Sequence, residues 1–387
     1  MNREKVFVCH PRFRFCTPVS EAYEAVMRGV ETGASLILDQ SSDTAVKLSH
    51  EAHQWLYCQS SGSSGAPKTV RRTPTSWRSS FDVSAQLFSI GPSDVYATLG
   101  AMGHSLTLYA TLEAVELGAG LCPLGGSGPR VQVQGLRRFG VTVLYATPSQ
   151  LRLLLRGALA ERIEKLSLRL VLVGGGKLDM DLRRGLQTLC PDAEIREFFG
   201  ASETSFITLS DEATPPGSVG RGYPGVEVLV EAEPGRKGEI WVRSPYLFDG
   251  YANGESADTH WRDGFLSIGE IGHLDAQGYL YLHGRKSRMV TVADQNVFPE
   301  KIEAIVSSLS DGNACAVVAM PEPLRGNSLA CVVESESAPE PILRQQIRNT
   351  LGPAAVPRTF HVVSHLPLLP AGKPDLKAIT DMLADLK

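Results

Sequence analysis

Residues 60–69 concentrate groups that can bind a phosphate anion within one short segment. The segment reads SSGSSGAPKT and carries five hydroxyl groups, two glycines and one lysine. Glycines let backbone N–H groups crowd around an anion, hydroxyls donate further hydrogen bonds, and the lysine supplies positive charge. A flexible surface turn has a similar composition, so composition alone leaves both interpretations open. The candidate phosphate-binding residues are Ser60, Ser61, Gly62, Ser63, Ser64, Gly65 and Lys68.

The spacing excludes the P-loop of nucleoside triphosphatases. That loop has glycine directly before its lysine and a helix directly after it. Here Pro67 precedes Lys68, and residues 69–73 read TVRRT, which is typical of an extended strand. The segment therefore predicts a phosphate-binding loop of another class, placed between two strands.

Several other polar and glycine-rich segments follow, and each has an ordinary structural explanation on its own. A glutamate after a strand, such as Glu203, is usually a solvated charge. A histidine beside an apolar run, such as His104, is usually a core residue, and a lysine in a glycine turn, such as Lys373, is usually exposed. Taken singly, these residues therefore indicate no particular function.

The elements around these segments alternate between strands and helices. Strands are predicted at 35–39, 56–60, 69–73, 141–145, 168–173 and 194–198, with helices at 22–33, 148–160 and 178–189. Alternation of this kind indicates an α/β fold with a mostly parallel sheet. Ligands of such sheets bind at the carboxyl ends of the strands, where Gly174–Gly176 and Glu203 are expected.

The character of the chain changes after residue 217. Short strands at 226–231, 238–243 and 279–283 predict a small β-rich subdomain. The last hundred residues predict an α+β unit with helices at 299–308, 340–351 and 375–386 and strands at 314–319, 329–334 and 360–363. We place the boundary at 284–288, which divides the chain into a large N-terminal domain, 1–284, and a small mobile C-terminal domain, 285–387.

Composition narrows the function further. The 387 residues carry a net charge of −4, so no electrostatic attraction to nucleic acid or to an anionic membrane is expected. The seven cysteines are scattered and none has CxxC spacing, which favours a reducing compartment over a disulfide framework or zinc site. No signal-peptide core or membrane span is evident, so a soluble cytoplasmic protein is expected.

The ordered motifs resemble those of one enzyme family. SSGSSGAPK is similar to the phosphate loop of the AMP-forming adenylating enzymes, which include acyl- and aryl-CoA synthetases, peptide-synthetase adenylation domains and luciferases. Further family segments follow in the family's order over residues 55–377: Gly103-His104, Thr147-Pro148-Ser149, Gly174-Gly175-Gly176, FGASE (199–203), Gly238-Glu239-Ile240, Gly250-Tyr251, Gly284-Arg285 and Pro370-Ala371-Gly372-Lys373.

The resemblance implies an attack of a substrate carboxylate on the α-phosphate of Mg·ATP. Residues 60–68 would grip the β- and γ-phosphates, and Glu203 would bind Mg²⁺. Gly174, Gly175 and Gly176 would lie against the purine, with Phe199 stacked on it where relatives usually have tyrosine. Gly200 belongs to the same segment, and Ser202 would add a hydroxyl to the α-phosphate.

Three further residues acquire catalytic or nucleotide-binding roles from the resemblance. Lys373 would cross the domain interface and bridge the substrate carboxylate and the α-phosphate. Arg285 would contact the ribose or a phosphate near the hinge. Glu270 stands where relatives have an aspartate that holds the ribose diol, and its additional methylene is a departure that could weaken ATP binding.

The acid and its acceptor are less closely defined. Residues 99–106 contain no carboxylate to pair with an α-ammonium group, which disfavours amino acids. His104 matches a position near the substrate carboxylate, and Tyr145, Thr147 and Phe199 are expected to line a compact pocket for an aryl or short acyl acid. The acceptor is CoA or a carrier-protein phosphopantetheine thiol, with Asp294 placed where a glycine usually guides the thiol.

A shortened N-terminal region is a second departure. About 55 residues precede the Ser/Gly loop, where relatives have a whole further subdomain. We expect this to leave apolar surface uncovered around residues 98–124, and therefore predict a homodimer that covers it. A nucleotide-binding scaffold without catalysis is a third interpretation, which the joint presence of Lys68, Glu203 and Lys373 disfavours.

Overall fold

The computed structural model describes residues 6–38, 46–60, 68–233, 235–293, 295–310, 313–322, 326–335, 339–369 and 374–385, with Ser60 described through its backbone alone. Several predicted site residues therefore lie outside the described residues: Ser61, Gly62, Ser63, Ser64, Gly65 and Lys373, together with Asp294.

Nine α-helices occur in the described part of the chain. They are α1 (Glu21–Thr32), α2 (Pro74–Phe88), α3 (Ser105–Leu117), α4 (Pro129–Arg138), α5 (Pro148–Ala160), α6 (Met180–Leu189), α7 (Pro299–Leu309), α8 (Glu340–Leu351) and α9 (Leu376–Asp385). Helix α5 begins with a capping box, in which the Thr147 hydroxyl accepts a hydrogen bond from the Gln150 N–H and the Gln150 side chain accepts one from the Thr147 N–H. None of the described helices combines the length and apolar character needed to cross a membrane.

The strands in the described ranges are, in chain order, β1 (Arg14–Phe15), β2 (Ser35–Leu38), β3 (Val46–Ser49), β4 (Leu56–Ser60), β5 (Lys68–Arg72), β6 (Val95–Thr98), β7 (Gly120–Pro123), β8 (Val143–Ala146), β9 (Leu170–Val173), β10 (Glu194–Ala201), β11 (Ser205–Leu209), β12 (Arg221–Gly222), β13 (Glu227–Glu231), β14 (Gly238–Arg243), β15 (Gly250–Asn253), β16 (His260–Arg262), β17 (Phe265–Ser267), β18 (Glu270–Leu274), β19 (Leu280–Arg285), β20 (Val290–Val292), β21 (Gln295–Val297), β22 (Cys315–Glu322), β23 (Gly326–Glu334) and β24 (Thr359–Val363).

The largest sheet has the strand order β1-β7-β6-β8-β9-β10-β11-β12. Pairing is parallel from β1 to β10, and β11 and β12 are added antiparallel. Alternate residues face opposite sides, as a pleated strand requires. In β9, Leu170 and Leu172 pack with α1, α2 and α3, whereas Val171 and Val173 pack with α4, α5 and α6. The predicted α/β class with a mostly parallel sheet is confirmed.

A second sheet, β15-β5-β4-β2-β3, carries the phosphate-loop segment. Strands β4 and β5 pair antiparallel, with Ser60 opposite Lys68, so residues 61–67 join the ends of two adjacent strands. Strand β15, which holds Tyr251, pairs with the other edge of β5. The hairpin and Tyr251 are thus neighbours although about 180 residues separate them in the sequence.

The β-rich and C-terminal parts form separate sheets. Strands β16-β17-β14-β18-β19, with β13 beside β14, make the predicted β-rich sheet. After residue 285, the strands β22-β23-β24 pack with α7, α8 and α9 around two small apolar clusters. A large N-terminal part and a small α+β C-terminal part are therefore present, while the exact division at 284/285 and its mobility stay predictions.

The apolar surface predicted around residues 98–124 is not exposed. The central part of this segment is helix α3, which is followed by strand β7, and the helix residues Leu108, Leu112 and Val115 have no solvent exposure. Helices α1 and α2 and the segment that contains Phe7 pack against helix α3. The expectation of an uncovered face is wrong, and the homodimer inferred from it loses its structural argument.

The same core contains a buried carboxyl group at Glu113 on α3. The hydroxyl groups of Ser84 and Tyr96 donate hydrogen bonds to its two oxygens, with the Tyr96 bond at 2.9 Å. Complete burial raises the pKa of Glu113 to about 7 despite these hydrogen bonds. The folded state therefore retains a proton on this carboxyl over a pH range in which the unfolded chain has lost it.

Replacement Glu113→Gln tests this linkage. Below about pH 4.5 the Glu113 carboxyl is protonated in both the folded and the unfolded protein. Between about pH 4.5 and pH 7 it is protonated only in the folded protein, so the free energy of unfolding of the wild type falls as the pH rises. The neutral glutamine variant does not lose this stability. We expect the variant to gain up to about 3 kcal/mol relative to wild type across this range. Urea unfolding at pH 5 and pH 7.5 measures the gain, and exposed Glu164→Gln is the control. Parallel curves for wild type and Glu113→Gln would contradict the prediction.

Candidate active site

The loops that leave β6, β8, β9 and β10 meet at one edge of the large sheet. Because these four strands are parallel, their carboxyl ends lie on the same side, which is where α/β sheets bind ligands. This edge gathers His104 after β6, Thr147 after β8, Gly174 after β9 and Glu203 after β10. Residues from four distant parts of the sequence thus share one location.

Lys68 begins strand β5 at the foot of the phosphate-loop segment. Its side chain is largely buried, with 7% of its surface exposed. The ammonium nitrogen lies 6.0 Å from the centre of the Tyr251 ring, a distance at which a cation is attracted to the ring face. The hairpin therefore places a positive charge beside Tyr251 and next to residues 61–67.

Tyr251 also holds Glu203. Its hydroxyl group donates a 2.9 Å hydrogen bond to Oε1 of Glu203 and lies 3.0 Å from the Thr259 hydroxyl. Burial and then the Glu203 charge raise the pKa of Tyr251, so the phenol stays a neutral donor at physiological pH. Lys68, Tyr251 and Glu203 consequently form one connected group.

Ser202 and His104 both lie at the start of helix α3. The Ser202 hydroxyl is 3.1 Å from the hydroxyl of Ser105, the first residue of α3. His104 is the N-cap of that helix, although its ring makes no capping hydrogen bond. Burial lowers the pKa of His104, which favours the neutral imidazole. His104 therefore precedes the residue that contacts Ser202, and its predicted place near the substrate carboxylate stays a prediction.

Gly174 meets Phe198, whereas Gly175 and Gly176 approach Thr147 and Pro148. A Cβ atom on Gly174 would lie 2.1 Å from the Phe198 ring, so this ring rests directly on the glycine backbone. Gly175 has a φ of +77°, which glycine adopts without strain. Phe199 faces the opposite way and packs with the apolar cluster of Ile207 and Ile240. The predicted stacking of Phe199 on a purine stays a prediction.

Glu270 and Arg285 face each other across β18 and β19. The Arg285 Nε donates a 2.9 Å hydrogen bond to Oε1 of Glu270. Burial alone would lower the pKa of Arg285, but the charges of Glu270 and Glu203 raise it above its ordinary value. An ion pair with Arg285 thus fixes Glu270, the predicted ribose-binding residue. The negative charge of Glu203, the predicted metal ligand, also acts on Arg285.

The donor set fits magnesium held jointly with phosphate groups. In the described ranges there is no group of three or more His, Cys, Asp or Glu residues that would form a complete protein metal site. Mg²⁺ usually takes one or two carboxylates and completes its shell with water and substrate phosphate oxygens. Glu203, oriented by Tyr251 beside the phosphate-loop hairpin, has the chemistry of such a single carboxylate ligand.

Arg72 was missed as a site residue by the sequence analysis. It is 1% exposed, and its guanidinium hydrogen-bonds to the backbone carbonyl of Ser202. Burial lowers the pKa of Arg72 to about 10, so it remains charged at neutral pH. The sequence did contain a signal for the burial of Arg72. Side chains alternate along a strand, so Lys68, Val70 and Arg72 share one face of β5, and that face is buried.

The fold and site define an α/β protein that gathers cationic and acidic groups at the carboxyl edge of a parallel sheet. Two family models match the chain: AMP-binding enzyme over residues 21–252 and AMP-binding enzyme C-terminal domain over residues 301–373. The chain therefore belongs to the AMP-binding enzyme family. The family resemblance stated from the motifs is confirmed.

Curated relatives include proteins named as CoA ligases. The chain is 30% identical over 324 residues to the uncharacterized acyl–CoA ligase YhfT of Bacillus subtilis. The aligned region covers 81% of this chain and 65% of the relative. It is 26% identical over 346 residues to 4-coumarate–CoA ligase-like 9 of Arabidopsis thaliana, and the aligned region covers 84% of this chain and 61% of that relative. The chain thus spans less than two thirds of the length of these relatives.

Solved structures share the fold. One is o-succinylbenzoate-CoA synthetase (MenE) of Bacillus subtilis in complex with the acyl-adenylate intermediate OSB-AMP, with a TM-score of 0.74, 23% identity, and coverage of 84% of this chain and 69% of that one. Another is the amide bond synthetase McbA of Marinactinospora thermotolerans, with a TM-score of 0.72 and 26% identity. The match covers 85% of this chain and 68% of that one.

Tyr251→Phe tests the role of the hydroxyl that orients Glu203. The variant keeps the ring beside Lys68 and removes the 2.9 Å hydrogen bond. Loss of a partner that orients a metal ligand typically costs 10- to 100-fold in metal affinity or activity. We expect Mn²⁺ binding in the presence of ATP, followed by electron paramagnetic resonance, to weaken by about tenfold.

The control is Tyr57→Phe, which removes a similar 3.0 Å hydrogen bond from a tyrosine to a glutamate, Glu51, on the exposed surface. It should leave Mn²⁺ binding unchanged. Equal binding by both variants would show that Tyr251 does not orient the metal ligand.

Proposed function

We propose that the protein uses Mg·ATP to activate a carboxylic acid as an acyl-adenylate. A carboxylate oxygen of the acid attacks the α-phosphorus, the bond from that phosphorus to the oxygen bridging to the β-phosphate breaks, and pyrophosphate leaves with the electron pair. Both reactants are anions, so catalysis requires positioning and charge neutralisation.

One observation carries this proposal. Lys68, Tyr251 and Glu203 form a connected group where the phosphate-loop hairpin meets the carboxyl edge of the sheet. A cation donor for phosphate and an oriented carboxylate for a hard metal are thereby adjacent, which is what Mg·triphosphate binding requires. Mg²⁺ held at Glu203 would neutralise phosphate charge during the displacement.

The remaining residues supply nucleotide and acid contacts in this proposal. Glu270, held by Arg285, presents a carboxylate to the ribose hydroxyls. Ser202 donates its hydroxyl to the α-phosphate, and neutral His104 lies beside the substrate carboxylate. Lys373 bridges the attacking carboxylate and the α-phosphate as negative charge moves between them.

An aryl or short acyl acid is the proposed substrate. Tyr145 is buried, its ring lies 5.6 Å from that of Tyr109 and 6.5 Å from that of Phe198, and Phe198 rests against Gly174. These rings occupy the space behind the glycine segment, which supports a short pocket lined by aromatic side chains. In this proposal Phe198, rather than Phe199, lines the pocket, because Phe199 packs with the apolar cluster of Ile207 and Ile240.

CoA is the proposed acceptor of the acyl group. In this second step the CoA thiolate attacks the carbonyl carbon of the adenylate, the carbon–oxygen bond to phosphate breaks, and AMP leaves. Relatives named as CoA ligases support this choice. Transfer to a carrier-protein phosphopantetheine thiol is the alternative, and a scaffold without catalysis is the third. The free thiols of all seven cysteines fit the proposed cytoplasmic location.

Lys373→Ala separates binding from chemistry. We expect ATP binding to stay near that of wild type, whereas adenylate formation falls by about 10²- to 10³-fold, because one well-placed charge contributes on this scale to the transition state. Acid-dependent exchange of labelled pyrophosphate into ATP measures the rate, and isothermal titration measures binding. Exposed Lys377→Ala is the matched control. Normal exchange by Lys373→Ala would remove this lysine from the mechanism.

A substrate panel tests the function itself. Hydroxylamine attacks the acyl-adenylate to give a hydroxamate and AMP. With this trap, pyrophosphate release should appear with aryl or short-chain acids and not with medium-chain acids, and CoA should take the place of hydroxylamine as the nucleophile of the second step. Acid-dependent release that hydroxylamine sustains but CoA does not would favour the carrier-protein alternative. No release with any acid would favour the scaffold.

A further inference from the structure

Arg72 is a completely buried arginine that none of the predicted catalytic steps uses. It ends strand β5 with 1% of its surface exposed, whereas its neighbour Arg71 pairs with Asp249 at the surface. Burying a guanidinium is costly unless partners satisfy it. The partners of Arg72 therefore indicate what the buried charge supports.

The guanidinium connects three separate parts of the chain. Nη2 donates to the backbone carbonyl of Ser202, and Nη1 lies 2.7 Å from the Ser205 hydroxyl. Nη1 also lies 3.3 Å from the Tyr246 carbonyl and from the Ser76 hydroxyl. The group lies 5.1 Å from the centre of the Trp77 ring. A single planar group thus ties the β10–β11 turn to α2 and to the segment before β15.

The β10–β11 turn has features that require external support. Ser205 adopts a φ of +55°, a left-handed conformation that is unfavourable for a residue with a side chain. The chain approaches itself so closely that a Cβ on Gly200 would lie 1.8 Å from the Ser205 carbonyl oxygen. Pairing also shifts register between Phe199 and Gly200. Strained turns of this kind persist when their surroundings hold them.

The position of the turn gives this support a functional meaning. Arg72 holds Ser202 through its carbonyl and Ser205 through its hydroxyl. Ser202 is the proposed α-phosphate contact, and Glu203, the proposed metal contact, lies between these two residues in the chain. Tyr251 donates a hydrogen bond to the Glu203 carboxylate. Arg72 anchors the backbone of the turn and Tyr251 orients the side chain.

We propose that Arg72 is a positioning residue, whose forked guanidinium fixes the 201–205 turn so that Ser202 and Glu203 meet the phosphate and its metal ion. This inference rests on the proposed function and extends it to a residue that contacts no substrate. Arginine is required because its planar fork donates to the Ser202 carbonyl and the Ser205 hydroxyl together, whereas lysine retains the charge without that geometry.

Arg72→Lys tests the inference, because it keeps the charge and removes the fork. We expect Mn²⁺ affinity in the presence of ATP to fall about tenfold and the rate of adenylate formation to fall about 10²-fold, the scale expected for a misplaced contact. The KM for the acid should change little. Amide hydrogen exchange within residues 201–205 should accelerate, whereas exchange in α5 should not.

The matched control is Arg169→Lys. Arg169 also makes a fork, to both carboxylate oxygens of Asp94 at 2.7 and 2.8 Å, and it bonds the Phe88 carbonyl. It precedes β9 at the amino edge of the sheet, far along the strands from the turn. A general loss of stability would affect both variants, so both are compared below their melting temperatures.

Each outcome bears on the proposal. Weaker Mn²⁺ binding and faster exchange in Arg72→Lys alone would support it, and equal values for the two arginine variants would overturn it. If Arg72→Lys does not fold, Ser205→Ala removes one acceptor and should weaken Mn²⁺ binding in the same direction, and unchanged binding there would overturn the proposal. A wild-type protein that binds Mn²⁺ and ATP but activates no acid would defeat the proposed function and leave the Arg72 test intact.

Discussion

Parallel pairing from β6 to β10 is the constraint on which the site depends. Because the strands run in the same direction, every loop at their carboxyl ends must open on one edge, whatever the distance along the chain. The second sheet then brings the β4–β5 hairpin and β15 against that edge. Strand direction and the second sheet therefore bring together the contact at Gly174, the oriented Glu203 carboxylate and Lys68.

Charges of both signs are held close together at this edge before any ligand arrives. Lys68, Arg72 and Arg285 supply positive charge, while Glu203 and Glu270 supply carboxylates that are oriented by neighbours. A polyanion with a bound cation is complementary to such a mixture. Because these groups are partly or wholly buried and most of them are held by hydrogen bonds, little reorganisation is needed when charge shifts during the proposed reaction.

The fold could be predicted best where local signals were strong. The prediction of α5 matches its bounds because Thr147 and Pro148 form an unmistakable helix start, and β4 and α8 also match. Helix α3 was missed because it is buried on nearly every side from Thr107 to Val115, so it has no polar face to produce a helical period. The wrong expectation of an exposed face had another source, the short region before the Ser/Gly loop, because helices α1 and α2 and the segment that contains Phe7 pack against α3.

The sequence by itself determined the family, the α/β class and the chemical types in the site, because the order of the motifs does not depend on how they pack. Tertiary structure alone decided which partners they have: Tyr251 and Glu203 are 48 residues apart, and Arg72 is 130 residues from Ser202. It also decided that Phe198, not Phe199, meets Gly174. The physical reason is strand register, since a shift of one residue turns a side chain to the opposite face of the sheet.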